Sequence, residues 1–356
     1  MAQVSWSRSR WIAIPFRVGA ATFLLTLLGF AVALLLSILG TVVYSLIEHV
    51  TPNLPFAYRR IALPFAVTVG AVVLVGSLIV EIRRYWQGGH AGAAKTGPRI
   101  AIPIPHSSDR EYVGRALTQY EKAVELAGGE PVRIELEQTP EQVKKQIEGC
   151  DAVLLPGSKA DVDPQKYGAA RHEKTASADA KRDAIDELLL RDAYKLRKPV
   201  LCICYGLQTL NVYRSGSLVQ HIESEINHAP GRTVAKAHTV EVEPGSRLAE
   251  IVGGTVARPG GAAMLAVNSS HHQSADAAGD GLRVVARCPE DGVVEALEGT
   301  DPGHFVLAVQ WHPERSVNDG PEVSGSAQAI FQAFIEAARR KHAELPGEVE
   351  AASRER

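Results

Sequence analysis

The sequence predicts an α/β protein, a mostly parallel sheet with helices on both faces, preceded by a two-helix membrane hairpin. Three observations predict it. From Arg99 onward, short apolar runs alternate with amphipathic helical stretches; two N-terminal runs carry no charged residue; and one cysteine, Cys204, stands where an apolar strand meets a helix. Strand–helix alternation implies parallel strands covered on both faces, with the site at their carboxyl ends.

Residues 18–47 and 61–80 contain no Asp, Glu, Lys or Arg. Each is long enough to span a bilayer, which takes about 20 apolar residues. The first run is well beyond the roughly 7–15-residue apolar core of a signal peptide, and no small-residue cleavage site follows it. Arg8, Arg10 and Arg17 precede the first span and Arg83, Arg84, Lys95 and Arg99 follow the second, with Arg59 and Arg60 between them. By the positive-inside rule both ends face the cytoplasm. The segment between the spans holds Pro52 and Pro55 and reads as a short extracytoplasmic turn, while Tyr85 and Trp86 read as an interfacial anchor. The organisation expected is therefore a membrane region over 1–86, a flexible linker over 87–98, a catalytic domain over 99–342 and a charged, frayed tail over 343–356.

Within the catalytic domain, Ile100-Ala101-Ile102-Pro103-Ile104 opens as a strand, followed by a helix over 109–127. A strand over 132–136, a helix over 140–148 and a strand over 152–155 ending at Pro156-Gly157 come next. In 182–196, apolar Ile185, Leu188, Leu189, Ala193 and Leu196 recur at helical spacing. Stretches 238–242, 282–287 and 293–297 read as extended, partly antiparallel additions.

Pro199-Val200-Leu201-Cys202-Ile203 then runs as a strand into Cys204, and a helix-like run begins at Gly206. Such a sharp strand-to-helix turn pushes one side chain out over the sheet edge. The helix N-terminus behind it favours a thiolate and an oxyanion, and the N–H of Tyr205 serves the oxyanion whatever its side chain. Gly157 is the second expected donor, since a glycine after a strand lets its N–H approach a substrate closely. Far downstream, the buried strand Phe305-Val306-Leu307-Ala308-Val309-Gln310 ends in Trp311-His312-Pro313-Glu314. His312 is the candidate base, and Glu314 the group that fixes its tautomer. Cys202 faces the same side as Cys204 along the strand but deeper, and reads as core.

Seven motifs in one order carry a family resemblance: Leu154-Leu155-Pro156-Gly157-Ser158; Asp161-Val162-Asp163-Pro164 with Tyr167-Gly168; Arg182-Asp183; Cys204-Tyr205-Gly206-Leu207-Gln208; Gly216-Ser217-Leu218; Val267-Asn268-Ser269-Ser270-His271-His272-Gln273; and Gln310-Trp311-His312-Pro313-Glu314. Over roughly 99–341 the chain resembles the class I glutamine amidotransferase-like superfamily, and within it the γ-glutamyl-γ-aminobutyrate hydrolase (peptidase C26) family. The resemblance implies a flavodoxin-like fold, a Cys204–His312–Glu314 triad, and a pocket wall for substrate drawn from Asp161, Gln208, Ser270, His271, His272 and Gln273. It departs at the elbow, where the family usually has arginine after the cysteine and this chain has Tyr205. That change removes a fixed positive charge from the pocket mouth, which a basic residue such as Arg214 would have to replace.

Other readings narrow the field. Net charge is −2, so no nucleic-acid role is implied. The four cysteines form no disulfide framework and no Cys-x-x-Cys pair, and a free catalytic thiol suits a reducing compartment. Asp161 and Asp163 lack a nearby carboxylate–histidine cluster, and adjacent residues His271 and His272 on a strand would point to opposite faces, so no metal and no organic cofactor is expected. The expectation is a membrane-anchored, cytoplasm-facing cysteine hydrolase of γ-glutamyl compounds. Its expected partners are the small substrate and the bilayer, with a homodimer left open. A glutaminase module feeding ammonia to a synthase and a catalytically weak sensor of γ-glutamyl ligands stand as alternatives.

Overall fold

The chain divides into two compact units, Met1–Thr96 and Gly97–Arg356. The computed structural model describes residues 8–49, 51–52, 54–65, 67–69, 71–75, 97–256 and 262–354. In the first unit one helix, Arg8–Glu48, contains the whole of the first expected span. Helical backbone resumes at Leu54–Phe56 and continues as a π-helical stretch, Ala57–Ala62. This is earlier than the expected start at 61, so Arg59 and Arg60 belong to a helix and not to the connecting turn. Pro55 permits it, because the first turn of a helix needs no N–H from that position. Leu27–Glu48 and Leu54–Val75 are long and apolar enough to cross a membrane, with mean hydropathies of 2.4 and 1.6. They meet where Gly29 lies against Val69; a Cβ at 29 would come within 3.2 Å of Val69 Cγ1. Phe30 also meets Tyr58 edge-on at a centroid distance of 5.9 Å. Residues 76–80 of the second expected span, the Tyr85–Trp86 anchor and 87–96 of the linker lie outside the described residues.

The second unit is built on a nine-stranded sheet. Its strands are β1 (Arg99–Pro103), β2 (Glu130–Ile134), β3 (Ala152–Leu155), β4 (Val200–Ile203), β6 (His238–Val242), β7 (Ala263–Val267), β9 (Leu282–Arg287), β10 (Val294–Gly299) and β11 (Val306–Val309), in the order β2-β1-β3-β4-β11-β10-β9-β6-β7. From β2 to β11 the pairs are parallel, and from β10 to β7 antiparallel. A second, two-stranded sheet pairs β5 (Leu218–Val219) with β8 (Ser274–Ala275).

The central strands β3, β4 and β11 are buried throughout, as strands with helices on both faces must be. Their side chains alternate between two cores. Leu154, Leu201, Ile203, Leu307 and Val309 pack with Tyr120 and Val124 of the helix Arg110–Leu126 and Phe331 and Phe334 of the helix Pro321–Arg354. Val153, Leu155, Val200, Cys202, Val306 and Ala308 pack on the other face with Ile185 and Leu189 of the helix Ala180–Leu196. Cys202 therefore does not share a face with Cys204, which belongs to the first core; strand alternation stops at the turn. The helix Pro321–Arg354 also runs on into the stretch expected to fray.

The register Leu155↔Cys202 and Val309↔Ile203 brings the carboxyl ends of three adjacent strands level. Beneath this edge lies Arg182, wholly buried. Its Nε pairs with Asp186 at 2.7 Å, Nη1 donates to the Pro105 carbonyl at 3.1 Å, and Nη2 donates to the Pro156 carbonyl at 2.8 Å. Breaking a buried pair from one side leaves a bare charge, at a cost of about 3–5 kcal/mol. Arg182→Met should lower unfolding stability of the full chain in detergent by about 3–5 kcal/mol, and Arg182→Met with Asp186→Leu by much less. A single-variant loss below about 1 kcal/mol, the range of exposed pairs, would take Arg182 out of this role.

Candidate active site

Cys204 occupies the turn between β4 and the helix Tyr205–Tyr213, with φ 55° and ψ −108°. Positive φ in a non-glycine residue is strained and is held by its surroundings. Here the Cys204 N–H donates to the Val309 carbonyl at 2.8 Å, extending the β4–β11 ladder by one residue. A Cβ at Gly206 would collide with the Leu155 carbonyl, so glycine is what lets the helix start this close to β3. Burial pushes the Cys204 thiol up to about 12, outweighing the charge of Arg315 and the Tyr205 N–H, both of which favour the thiolate. The resting sulfur is a neutral thiol, contrary to the thiolate that the helix end alone suggested.

His312 follows β11 by three residues. Its Nδ1 lies 2.8 Å from Glu314 Oε1, and because a carboxylate only accepts, Nδ1 carries the hydrogen and Nε2 the lone pair. Nε2 is buried with no hydrogen-bond partner among the described residues. Burial depresses His312 to about 4, against the pull of Glu314, so the ring is neutral at physiological pH. Asn268 braces the backbone here: its Oδ1 accepts from the His312 N–H at 3.1 Å and its Nδ2 donates to the His312 carbonyl at 2.8 Å.

Gly157 sits where expected, after β3, but its N–H already donates to the Tyr120 hydroxyl at 3.0 Å. It is thus not the open donor the sequence suggested. A Cβ at 157 would lie 3.0 Å from His312 Cε1, 3.1 Å from the Tyr120 hydroxyl and 3.5 Å from Cys204 Cβ. Glycine at 157 is needed for space between base and nucleophile. The next N–H, that of Ser158, belongs to a residue lining the cavity.

Tyr205 also differs from expectation. Its ring is buried with Val162, Val212 and Leu218, its hydroxyl donates to Asp183 Oδ1 at 2.5 Å, and Arg182 lies over the ring at 5.2 Å. Position 205 places its polar end inside the protein, so the replacement does not strip charge from the pocket mouth. Arg214 stacks on Tyr194 and donates to the Asp280 carbonyl, outside the cavity.

The cavity has a volume of about 400 Å³ and is lined by Cys204, Tyr205 and His312 together with all six expected wall residues, Asp161, Gln208, Ser270, His271, His272 and Gln273. Asp161 accepts from the Ala176 N–H at 2.6 Å and pairs with His272, whose pKa this contact raises. Asp163 turns away to cap Gln165 at 3.0 Å. Gln208 Nε2 donates to the Gln273 carbonyl, and Gln273 Nε2 to that of Gln220. Residues 268–273 form a loop, not a strand; His271 and His272 diverge because the loop turns them, His271 toward Glu295 and His272 toward Asp161.

Sequence reading missed the pocket's positive charge. Arg115, Lys159, Arg232 and Arg315 all line the cavity, and Arg315, one residue past Glu314, has buried Nε and Nη1 donors with no hydrogen-bond partner among the described residues. Adjacency to the triad was the available signal for Arg315. Lys159 had a comparable signal, lying between Ser158 and Asp161, whereas Arg115 and Arg232 come from segments with no such marker.

The peptidase C26 model matches residues 103–314. A γ-glutamyl-γ-aminobutyrate hydrolase of Escherichia coli O157:H7 is 31% identical over 258 residues, covering 69% of this chain and 96% of that one. A Mycobacterium tuberculosis protein named as a glutamine amidotransferase is 37% identical over 224 residues, 62% of this chain and 66% of its own length. Among solved structures, the glutaminase domain of Trypanosoma brucei CTPS with bound acivicin is similar at a TM-score of 0.45 and 17% identity, covering 68% of this chain and 94% of that one. With its mixed sheet, parallel from β2 to β11 and antiparallel from there to β7, and its class I glutamine amidotransferase-like fold, this hydrolase belongs to the peptidase C26 family.

Proposed function

We propose that the chain hydrolyses the side-chain amide of γ-glutamyl compounds through a thioester on Cys204, and that the N-terminal hairpin anchors it in a membrane. The observation that carries the catalytic part is one cavity lined by a buried thiol and by a neutral imidazole with its Nε2 free, the opposite ring nitrogen being held by a buried carboxylate behind the wall. Hydrolase relatives about 31% identical support the substrate class.

His312 Nε2 takes the thiol proton as Sγ attacks the γ-carbonyl, since both groups are neutral at rest. The Glu314 carboxylate stabilises the imidazolium that forms. Backbone N–H groups of Tyr205 and Ser158 receive the oxyanion, the Gly157 N–H being engaged by Tyr120. Collapse expels the amine, which takes its proton from His312; water, deprotonated by His312, then cleaves the thioester and releases glutamate. Arg315, whose buried Nη1 has no hydrogen-bond partner among the described residues and whose Nε lies 3.5 Å from Glu314 Oε1, and Arg232, which also lines the cavity, suit a substrate carboxylate, because buried guanidinium donors gain most from a charged acceptor.

Cys204→Ala should abolish turnover of a γ-glutamyl amide panel by the full chain in detergent, while Cys202→Ser retains it. An electrophilic glutamine analogue should label Cys204; label on Cys202 would overturn the assignment. Glutamine turned over faster than every substituted amide would favour the glutaminase reading.

Burial disfavours the imidazolium, so the base form of His312 persists as pH falls toward about 4. We expect kcat/KM to hold from neutral pH down to about 5 and to decline below it. A half-point near the ordinary imidazole value of 6.5 would show that His312 is solvated in the working enzyme.

Two apolar spans motivate the topology, with Arg8, Arg10 and Arg17 before the first and Arg83 and Arg84 after the second, while Arg59 and Arg60 fall within the helix that opens the second. A reporter fused after Arg356 should score cytoplasmic. Periplasmic or extracellular reporter activity would reject a two-span hairpin with both ends inside.

A further inference from the structure

Behind the cavity wall, three imidazoles and one carboxylate converge. Glu295 Oε1 lies 3.3 Å from His228 Nδ1, 3.4 Å from His238 Nε2 and 3.5 Å from His271 Nε2. The four side chains are 0–2% exposed, and their donor atoms all lie within 4.8 Å of one another.

The opposite ring nitrogens decide what these atoms are. His228 Nε2 lies 2.9 Å from Asp291 Oδ2, His271 Nδ1 lies 3.0 Å from the Gln273 carbonyl, and His238 Nδ1 lies 3.3 Å from the Thr239 carbonyl. Those oxygens only accept, so each of these nitrogens carries its ring's hydrogen. With the rings neutral, the inward nitrogens are lone pairs, aimed at one another and at a carboxylate. None of the three, nor either Glu295 oxygen, has a hydrogen-bond partner among the described residues. Four buried acceptors facing one point is unfavourable unless a cation occupies it.

We propose that His228, His238, His271 and Glu295 bind one zinc ion as a closed structural site. Bonds of about 2.0–2.1 Å in a tetrahedron give ligand–ligand edges near 3.4 Å, which the three nitrogen–oxygen separations match. Three imidazoles and a carboxylate suit zinc better than calcium or magnesium, which take oxygen shells. With four protein ligands, all buried, no position is left for water, so the ion is structural. The outer oxygens on each ring are the arrangement that fixes a ligand's tautomer and orientation.

The protein builds the point deliberately. Glu295 falls at an irregularity in the β9–β10 register, between the paired residues Val294 and Ala296, and a bulge can re-aim a strand side chain inward. His238 opens β6, His228 lies in the loop before it, and the His271 N–H donates to the His228 carbonyl at 2.9 Å. The ion joins the loop 268–273 to the sheet and so holds the pocket wall, while the Glu295 carbonyl accepts from Gln310, two residues before His312. The other grouping on the same ring, His228 with Cys288 and Asp291, offers only three ligands, one of them the exposed Asp291, and its Cys288 Sγ already donates to Glu290.

The test uses the untagged full chain in detergent. About one zinc per chain should survive gel filtration and remain in Cys204→Ser, which separates this site from the catalytic thiol. Cobalt added to the chelator-stripped protein should give the visible bands of a tetrahedral ion without a thiolate charge-transfer band. Asp291→Asn, which keeps all four ligands, should weaken zinc retention by about ten- to a hundred-fold, and His238→Asn by more. Stripped wild-type protein that takes up no cobalt and melts at the same temperature with and without zinc would overturn the site, leaving protons shared between His228, Asp291 and Glu295. Should the His238 variant fail to fold, the cobalt spectrum of the wild type decides alone.

Discussion

A wholly buried guanidinium holds the catalytic edge of the sheet together. Arg182 cannot be solvated, so every donor must find an acceptor inside, and its partners are a carboxylate on its own helix and two carbonyls from the loops after β1 and β3. Burial also raises its partner Asp186 to about 6, which makes the aspartate dependent on the arginine in turn. Since Pro156 directly precedes Gly157, the hydrogen bond at Pro156 fixes the backbone that must lie flat between His312 and Cys204. The fan of donors is a reason for arginine here, because lysine has one nitrogen and no planar fork.

Burial likewise sets the protonation state of the chemistry. A helix N-terminus lowers a thiol and a carboxylate raises an imidazole, yet neither prevails at full desolvation. Cys204 stays protonated and His312 stays neutral, a pair one proton transfer away from the charged state. Such a pair stores no charge in an empty pocket and becomes reactive when a carbonyl arrives to accept the electrons. The arrangement also explains the Glu314 contact: with Nδ1–H committed to a carboxylate, the lone pair can only be on Nε2.

What the sequence shows of this fold follows from signal strength. β3, β4 and β11 are short runs of wholly apolar residues, the helices beside them repeat at helical spacing, and all were readable. The helix Arg247–Val256 was not, because Gly253 and Gly254 weaken its propensity, although Leu248 and Val252, both buried, are one turn apart. β7 is rich in alanine and only half buried at the sheet edge. The proposed triad was legible because Cys204 directly follows β4, while His312 and Glu314 stand together in the Trp-His-Pro-Glu run after β11. Side-chain direction was not: nothing local says that Tyr205 points inward, that Cys202 and Cys204 part company at a positive φ, or that His228, His238 and Glu295 meet, separated as they are by ten to sixty-seven residues.

The tyrosine after the nucleophile shows how a departure from a family pattern can be absorbed. Asp183 is buried one turn before Asp186 on the same helix, and its two oxygens need donors. The Tyr205 hydroxyl supplies one at 2.5 Å and Lys166 the other at 3.0 Å. An arginine at 205 would bring both donors and a charge from a single side chain; here the same demand is met by a neutral ring and a lysine from the Pro164–Tyr167 turn. The ring adds what arginine lacks, an aromatic face for Arg182 and apolar contact with Val162, Val212 and Leu218. The proposed reaction asks of this residue a backbone N–H, and either side chain leaves that N–H at the helix start, so the side chain is free to serve the packing beneath the site.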